Sequence, residues 1–268
     1  MFATARKKRF LTLPKQSVQF EISRQHFTVR LAHTRRDKMQ ALALRYQVFH
    51  REFIGKQFPI GIDKDRYDKD AELLVLVDNR IHRVVGCYRL ICSDITDQFY
   101  SASEFDLSGF LKLSGVKLEL SRACVHKNYR SGTAIHLLWR GIAKYMELTS
   151  ARYLFGCSSV LTTDISTLHA LYSDLIRKNA LNDSLAVFAR EEFRIDHFQV
   201  WLERFRNQPA PAAETQLPIP PLMRSYLKAG ALIAAEPALD RKYNCIDFFT
   251  VMDLNGLSQV YEKKYAGK

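Results

Sequence analysis

The 268-residue chain has 47% hydrophobic and 12% aromatic side chains, enough for a packed core, which excludes a disordered protein. Its net charge of +12 predicts attraction to an acidic partner: an acidic carrier protein, an anionic membrane surface or nucleic acid. The five cysteines are scattered and form no CxxC pair, so we expect reduced, buried thiols and no zinc site.

Residues 1–19 form a basic segment with interspersed apolar side chains. The segment fits either a solvated terminus or a reversible contact with an anionic membrane. No apolar stretch of the kind found in secretory signals follows it, and no stretch approaches the ~18 apolar residues that span a bilayer. We therefore expect a cytoplasmic protein that can associate peripherally with the inner face of the membrane, with a single domain over residues 20–268.

The first predicted element is a helix that starts after Thr34. Thr34 and Asp37 have the spacing of a capping box, and a buried helical face is expected to follow at Leu42, Tyr46, Phe49 and Phe53. The acidic loop over residues 63–70 lacks the glycine and the bidentate glutamate of a calcium loop, so no metal is expected there. Two strands are predicted next, over residues 72–78 and 83–93.

A strand–helix–strand unit is predicted over residues 117–159, with the strands at 118–125 and 153–159. It predicts an α/β or α+β fold, and the N-terminus of its helix suits a phosphate. Further along, Asp164 can cap a helix that runs to about residue 178. The remaining predictions are a proline-rich linker over residues 209–221, a helix over 220–230, a strand over 245–252 and a helix over 253–265.

Four charged residues lie inside apolar segments: Arg45, Arg89, Glu119 and Arg122. A buried charge is costly unless it is paired, so these four are expected to pair with one another or with Asp65 and Asp68. A structural ion-pair network and a functional cluster both satisfy this requirement. In a regular strand, Glu119 and Arg122 point to opposite sides. If they share a site, a β-bulge must lie near residues 121–124.

The spacing of these residues resembles a known family signature. Arg45 with Phe49, Asp65 with Asp68, Gly86 before Arg89-Leu90, and Glu119-x-Ser121-Arg122 are similar to the pattern of acyl-homoserine-lactone synthases. The closer resemblance is to ornithine-lipid N-acyltransferases and extends over roughly residues 27–265. It is carried by residues 118–125, Tyr129-Arg130, residues 137–139 with Gly141 and Tyr145, and residues 155–157, 217–230 and 240–251.

This resemblance implies a GNAT-like acyltransferase fold, in which helices flank a central mixed, twisted sheet with splayed strands, here with an elaborated C-terminal part. It implies transfer of a (3-hydroxy)fatty acyl group from acyl carrier protein to the α-amino group of an amino acid, with ornithine favoured. The amine would attack the thioester directly. No tightly bound cofactor is implied; the co-substrate would be the 4'-phosphopantetheine thioester of the carrier protein, with acyl-CoA as an alternative.

The resemblance also assigns roles to residues. The catalytic set would be Glu119, as general base directly or through a water, with Arg122 and Arg89. The arginines would bind a substrate carboxylate or hold the acidic loop, and Asp65 or Asp68 could hold a substrate ammonium group. The substrate-binding set is Arg45, Phe49, Asp65, Asp68 and Ser121. The phosphopantetheine-binding set is Val125, Arg130, Ser131, Gly132 and Thr133, in a loop that has one glycine, shifted by one place from the usual GNAT pattern.

Further interpretations stay open at this point. A backbone N–H near residues 123–125 would bind the oxyanion. Cys124 fits a buried structural thiol better than a nucleophile, and Trp139 fits core packing or the wall of an acyl channel. An autoinducer-type synthase is the second enzymatic reading, but the C-terminal segments and the length disfavour it. A basic membrane-surface or nucleic-acid-binding module is the third reading. Because the basic residues are spread along the chain, no nucleic-acid partner is expected.

Overall fold

The computed structural model describes residues 18–55, 59–130, 132–206 and 219–256. Strands β1 (Glu21–Arg24) and β2 (Phe27–Leu31) form a hairpin, and helix α1 (Arg35–Arg45) follows them. The predicted capping box is confirmed, because Thr34 and Asp37 each accept a hydrogen bond from the other's backbone N–H. The predicted basic segment lies outside the described residues except for positions 18 and 19, so its role stays a prediction.

Helix α1 continues directly into a π-helix over Tyr46–Ile54. The wider turn of the π-helix breaks the spacing of three and four residues on which the predicted buried face depends. Tyr46 is buried as predicted, but Phe53 is 50% exposed, so the prediction for Phe53 is wrong. The change of helix type places Phe49 and Phe53 on the wall of a cavity, where Phe49 also packs against the edge of the core.

The central elements agree with the predicted order. Strands β3 (Glu72–Asp78) and β4 (Arg83–Cys92) are followed by β5 (Phe105–Asp106) and helix α2 (Ser108–Lys112). The predicted strand–helix–strand unit consists of β6 (Val116–Val125), α3 (Gly132–Thr149) and β7 (Ala151–Val160).

The C-terminal third contains α4 (Ile165–Arg177), β8 (Phe188–Ala189), α5 (Phe198–Arg206), α6 (Pro221–Lys228), β9 (Leu232–Ile233), β10 (Ala238–Asp240) and β11 (Cys245–Asp253). Asp164 caps α4 as predicted. The helix predicted from residue 253 is wrong where it is described, because Asp253 still pairs with Tyr153 in the sheet and a 3-10 turn over Leu254–Gly256 follows. The rest of that predicted helix, and most of the proline-rich linker, lie outside the described residues.

Nine of the described strands form one sheet, in the order β1-β2-β3-β4-β6-β7-β11-β10 with β9 also on β11; the short pair β5–β8 lies apart. The β6–β7 pair is parallel because α3 crosses between its strands, and the other pairs are antiparallel. The predicted mixed α/β sheet is thereby confirmed.

Side chains of β3 alternate between the two faces of the sheet, which places a core on each side. Leu74 and Leu76 belong to the cluster packed around α3, whereas Val75 and Val77 pack with α1. Two further clusters extend the core toward β11, one of them rich in phenylalanine. None of the described helices combines the length and the apolar character needed to cross a bilayer.

Candidate active site

A cavity opens where the two parallel strands separate. Strands β6 and β7 pair from Val116↔Ala151 to Glu119↔Phe155, and both then continue without pairing to each other. The cavity has a volume of about 510 Å³ and is lined by residues 120–123 of β6 and 154–159 of β7. The predicted splayed strands are therefore present, and the gap between them forms the candidate site.

Gly156 lies at the point where the strands part. A Cβ atom at this position would collide with the carbonyl oxygen of Leu120 on the neighbouring strand. Glycine is thus required here because the backbones of β6 and β7 approach too closely for a side chain. The next residues of β7 diverge from β6 and face the cavity.

The predicted β-bulge is confirmed in β6. Cys124 pairs with Cys87 and Ser121 pairs with Arg89, so Arg122 and Ala123 together face the single residue Tyr88. Arg122 has φ of 52°, the left-handed conformation that a non-glycine residue seldom adopts. The bulge lets Ser121 and Arg122 both line the cavity although they are adjacent in the strand.

Three arginines, of which Arg45 and Arg89 are fully buried, form one ion-pair network with three aspartates of the loop before β3, which confirms the predicted pairing of the arginines. Arg45 binds Asp63 through Nε at 3.0 Å and Asp68 through both terminal nitrogens at 2.6 and 3.2 Å. Arg89 Nη1 lies 2.6 Å from Asp65 Oδ1. Arg122 lies 3.3 Å from both Asp63 and Asp65. The network ties α1, β4 and β6 to this loop.

The pKa values of the aspartates follow from these contacts. Burial alone would raise the pKa of Asp63, but Arg122 and Arg45 outweigh burial and lower it. The same balance lowers the pKa of Asp65, where Arg89 and Arg122 are the cations. Three charges of each sign offset one another, so the network is stable as ionised groups.

The predicted role of Asp65 or Asp68 as the partner of a substrate ammonium group stays a prediction, and both carboxylates already have several donors. The Asp65 oxygens accept from Arg89, Arg122 and the Tyr67 backbone N–H. The Asp68 oxygens accept from Arg45 and from the Asp65 backbone N–H. Each carboxylate thus accepts three hydrogen bonds, at least one of them from an arginine, and serves as a counter-ion that holds the arginines.

The structure places Glu119 behind the cavity wall. Its carboxylate is fully buried and accepts hydrogen bonds from Tyr100 N (2.8 Å), Ser101 N (2.6 Å) and Ser101 Oγ (2.6 Å). Burial raises the pKa of Glu119 against the opposing effect of these donors. Glu119 forms no ion pair with the arginines in the described part of the chain, so the expected pairing is wrong for this residue. Its role as a base stays a prediction that this geometry does not favour.

The remaining predicted positions divide between the cavity and the surface. Phe49, Arg89, Ser121 and Arg122 line the cavity, and Arg122 lies 5.3 Å from the ring centroids of both Phe49 and Tyr100. Arg89 donates from Nε to Ser121 Oγ at 2.9 Å. Its other terminal nitrogen, Nη2, is buried and has no hydrogen-bond partner among the described residues.

The predicted phosphopantetheine residues lie at the end of β6 and the start of α3. Arg130 donates from Nε to the Val125 carbonyl at 3.0 Å and pairs with Glu52. Gly132 and Thr133 are exposed at the first turn of α3, and a Cβ at Gly132 would meet nothing within 4 Å. Ser131 lies outside the described residues. Exposed amides of a helix N-terminus are suited to a phosphate, which is compatible with the predicted role.

Sequence reasoning missed an acidic group on the cavity wall. Asp240, Cys245 and Asp247 line the cavity, and their ligand atoms lie within 4.8 Å of one another, a spacing that could also hold a metal ion. Glu104 is 1% exposed beside Asp247. The available signal was Asp247 within the apolar run of β11, the same kind of buried charge that singled out Glu119.

The cysteines are free thiols, as predicted, in the described residues. Cys124 Sγ lies 3.4 Å from Cys87 Sγ, and burial raises the pKa of Cys124. A buried thiol with a raised pKa is a poor nucleophile, so the geometry agrees with a structural role for Cys124. Trp139 is 2% exposed, packs edge-on against Tyr226 and also lines the cavity.

A mixed sheet whose parallel strands part around a cavity, with a helix N-terminus beside the gap, defines an acyltransferase of the GNAT class. The family model described as "Acetyltransferase (GNAT) domain" matches residues 44–140. The chain is 30% identical over 253 residues to the L-ornithine N(alpha)-acyltransferase of Rhodobacter capsulatus, covering 89% of this chain and 94% of that protein. It is 28% identical over 258 residues to the protein of the same name from Brucella abortus, covering 90% and 89%.

The chain therefore belongs to the L-ornithine N(alpha)-acyltransferase family, as the sequence resemblance predicted. Among solved structures, the CoA-dependent acyl-homoserine lactone synthase BjaI, with SAM and isopentyl-CoA, is similar with a TM-score of 0.47 at 16% identity. That match covers 87% of this chain and 82% of BjaI.

Proposed function

We propose that the protein transfers a (3-hydroxy)fatty acyl group from acyl carrier protein to the α-amino group of ornithine. Two curated relatives that align over most of the chain carry the name L-ornithine N(alpha)-acyltransferase. The observation that carries the proposal is the cavity between β6 and β7, which joins an apolar wall to the unpartnered, buried Nη2 of Arg89. A fatty acyl chain fits the apolar wall, and an amino-acid carboxylate fits the guanidinium.

The acyl donor would enter through the gap between the parted strands. Its acyl chain would lie against apolar side chains that line the cavity: Leu120, Trp139, Leu154, Met223 and Met252. The phosphate of its pantetheine arm would meet the first turn of α3 at Gly132 and Thr133. The net charge of +12 favours an acidic carrier protein as donor and permits peripheral contact with an anionic membrane. Acyl-CoA is the alternative donor.

The amino-acid acceptor would be held by its carboxylate. Arg89 donates from Nη1 to Asp65 and from Nε to Ser121, whereas the N–H groups of Nη2 have no acceptor among the described residues. A guanidinium binds a carboxylate through charge-assisted hydrogen bonds, and the Ser121 hydroxyl can donate a further one. Arg122 and Arg45 would act as positioning residues that fix the acidic loop and the aromatic wall.

The reaction needs only the neutral amine and the thioester. A free α-amino group has a pKa of about 7.7–8, so part of the substrate is neutral near neutral pH. The amine nitrogen would attack the thioester carbonyl, the C–N bond would form, and the C–S bond would break. The amine proton would leave with the pantetheine thiol. Because no strand covers the β7 side of β6 beyond Glu119 in the described chain, backbone N–H groups there could bind the oxyanion.

The proposal is tested by mass spectrometry of the purified protein incubated with 3-hydroxyacyl carrier protein and a mixture of amino acids. We expect a single N-acylornithine product. An acyl-homoserine lactone product would assign the protein to the signalling synthases instead. Absence of product with both carrier-protein and CoA donors would contradict the proposal. Parallel reactions with acyl-CoA identify which donor is used.

The carboxylate clamp is tested with Arg89→Lys, which keeps a positive charge but loses the guanidinium fork. We expect KM for ornithine to rise by about tenfold or more, because the lost hydrogen bonds to a charged group are worth about 1.5–3 kcal/mol. Arg83→Lys is the matched control, since Arg83 begins the same strand and is exposed. An unchanged KM in Arg89→Lys would remove Arg89 from the acceptor site.

A further inference from the structure

A group of carboxyl side chains on the cavity wall lacks a positive partner. Asp240 and Asp247 line the cavity, and Glu104 is buried beside Asp247. None of the three forms an ion pair with a lysine, arginine or histidine within the described residues. The nearby aspartate loop, in contrast, has one arginine for each aspartate.

Glu104 adds an independent sign of a missing ligand. The Glu104 carboxyl shares a hydrogen bond with the carboxyl of Asp247, and its buried Oε2 atom accepts no hydrogen bond from an N–H or hydroxyl donor among the described residues. Such orphaned acceptors are uncommon in folded proteins, because each costs about 1–3 kcal/mol. Burial and the adjacent Asp247 raise the pKa of Glu104 to about 9. A cation bound beside this carboxyl would favour its ionised form and lower its pKa.

The hydrogen bonds of the two aspartates limit what this cation can be. Asp240 Oδ1 accepts from the backbone N–H groups of Lys242 and Tyr243. Asp247 accepts from Ser159 Oγ and from the Cys245 thiol, and it shares a hydrogen bond with the Glu104 carboxyl. Burial raises the pKa of Cys245, which keeps it a protonated donor. An ammonium group is compatible with this arrangement, because it only donates hydrogen bonds and needs acceptor oxygens. A metal ion would instead need the thiolate form of Cys245 and the oxygens that already accept hydrogen bonds.

The acidic group lies next to the proposed carboxylate clamp. Tyr100 connects the two, because its ring centroid is 5.6 Å from the Arg89 guanidinium and 5.3 Å from that of Arg122. Burial raises the pKa of Tyr100, and the neighbouring Glu104 adds to that rise. Arg89, Tyr100, Asp240 and Asp247 line the same cavity, which therefore presents both a guanidinium and buried carboxyls. A molecule with a carboxylate at one end and an ammonium group at the other matches both.

We propose that Glu104 and Asp247, with Asp240, form the subsite that binds the side-chain ammonium group of a diamino-acid acceptor. The inference rests on the proposed N-acyltransferase function and adds the basis of acceptor specificity. With the acceptor carboxylate bound at Arg89 and its side-chain ammonium bound at the acidic group, the α-amino group stays free to attack the thioester. The subsite excludes neutral amino acids because they leave its carboxyls without a cation.

The test compares L-ornithine with L-norvaline, which has the same carbon chain and no side-chain amine, as acceptors for the full-length protein with 3-hydroxyacyl carrier protein. We expect the wild-type kcat/KM to favour ornithine by about 100-fold or more. Glu104→Gln and Asp247→Asn should each lower kcat/KM for ornithine by about tenfold or more and change that for norvaline by less than about twofold. Glu191→Gln and Asp196→Asn, at exposed positions, are the matched controls.

Each other outcome overturns a defined part of the reasoning. Equal losses with both acceptors, or no loss in either variant, would remove the acidic group from acceptor recognition. Wild-type protein that acylates both acceptors equally would refute the subsite and leave the proposed function intact. Wild-type protein that acylates neither would refute the proposed function itself. Stoichiometric zinc or manganese in purified wild-type protein, lost in Asp247→Asn, would make the group a metal site.

Discussion

Replacing Glu119 by glutamine distinguishes two possible roles of this residue. One is the general base predicted from the sequence, and the other is the positioning role that the structure favours. Glu119 holds the Tyr100–Ser101 backbone, and this segment carries Tyr100 into the cavity wall and Glu104 to Asp247. Glutamine retains one oxygen, which can still accept from Ser101. Its amide nitrogen replaces the other oxygen, so the Tyr100 N–H loses its acceptor in a fully buried place.

The expected cost follows from that lost acceptor. A buried donor left without a partner costs about 1–3 kcal/mol. In a protein of this size, each 1 kcal/mol lowers Tm by about 2–4 °C. Loosening of the Tyr100–Glu104 segment should reduce kcat/KM by roughly tenfold to a hundredfold. The acid limb of the pH–rate profile should remain, because a positioning residue does not exchange the reacting proton.

The assay combines thermal unfolding with the pH dependence of kcat/KM for ornithine. Glu203→Gln, at an exposed position of α5, is the control and should change stability by less than about 0.5 kcal/mol. An unchanged Tm in Glu119→Gln together with loss of the acid limb would show that Glu119 is the proton acceptor after all. No change in either measurement would leave Glu119 without a role in the site.

Three other substitutions test the site and its support. Gly156→Ala should destabilise the protein by about 1–3 kcal/mol in denaturant unfolding, because its methyl group would collide with the Leu120 carbonyl. Gly132→Ala is the control and should not destabilise the protein, because the space around Gly132 is open. Equal losses of stability in the two variants would contradict the close approach of β6 and β7. Arg45→Met should cost about 3–5 kcal/mol in the same assay, since it leaves two buried aspartates short of a cation, and a loss below 1 kcal/mol would show that Arg45 does not hold the loop. Glu104→Gln should reduce the pH dependence of stability, so that the free energy of unfolding falls less steeply as the pH rises. Because the folded pKa of about 9 exceeds the ordinary value of 4.5, the native state binds the extra proton between these pH values, and wild-type stability falls by up to about 1.4 kcal/mol per pH unit. Parallel Tm-against-pH curves for the two proteins would refute this assignment.

Much of the scaffold follows from local sequence signals. The capping box of Thr34 and Asp37, the cap at Asp164 and the apolar runs of β3 and β4 each act within a few residues, so they identify elements correctly. The bulge near Arg122 was predicted on the condition that Glu119 and Arg122 share a site; the bulge is present, but it brings Ser121 and Arg122 to the cavity and leaves Glu119 behind the wall.

The rest of the site depends on contacts between distant segments. The π-helix after α1 has no local signal that distinguishes it from an α-helix, so the exposure of Phe53 was not foreseen. The donors to Glu119 come from an irregular segment without periodicity. The acidic group combines Glu104 with β10 and β11, more than a hundred residues later in the sequence, and only the sheet order brings them together.

The ion-pair network has a consequence for how the protein opens in solution. Each of its arginines comes from a different element (α1, β4 and β6), and all three bind the same aspartate loop. Release of any one element would leave a charge uncompensated in the interior, so none can detach alone at low cost. Backbone amides of these three elements should therefore exchange with solvent deuterium as one cooperative unit, and the floor of the cavity would persist while peripheral segments fluctuate.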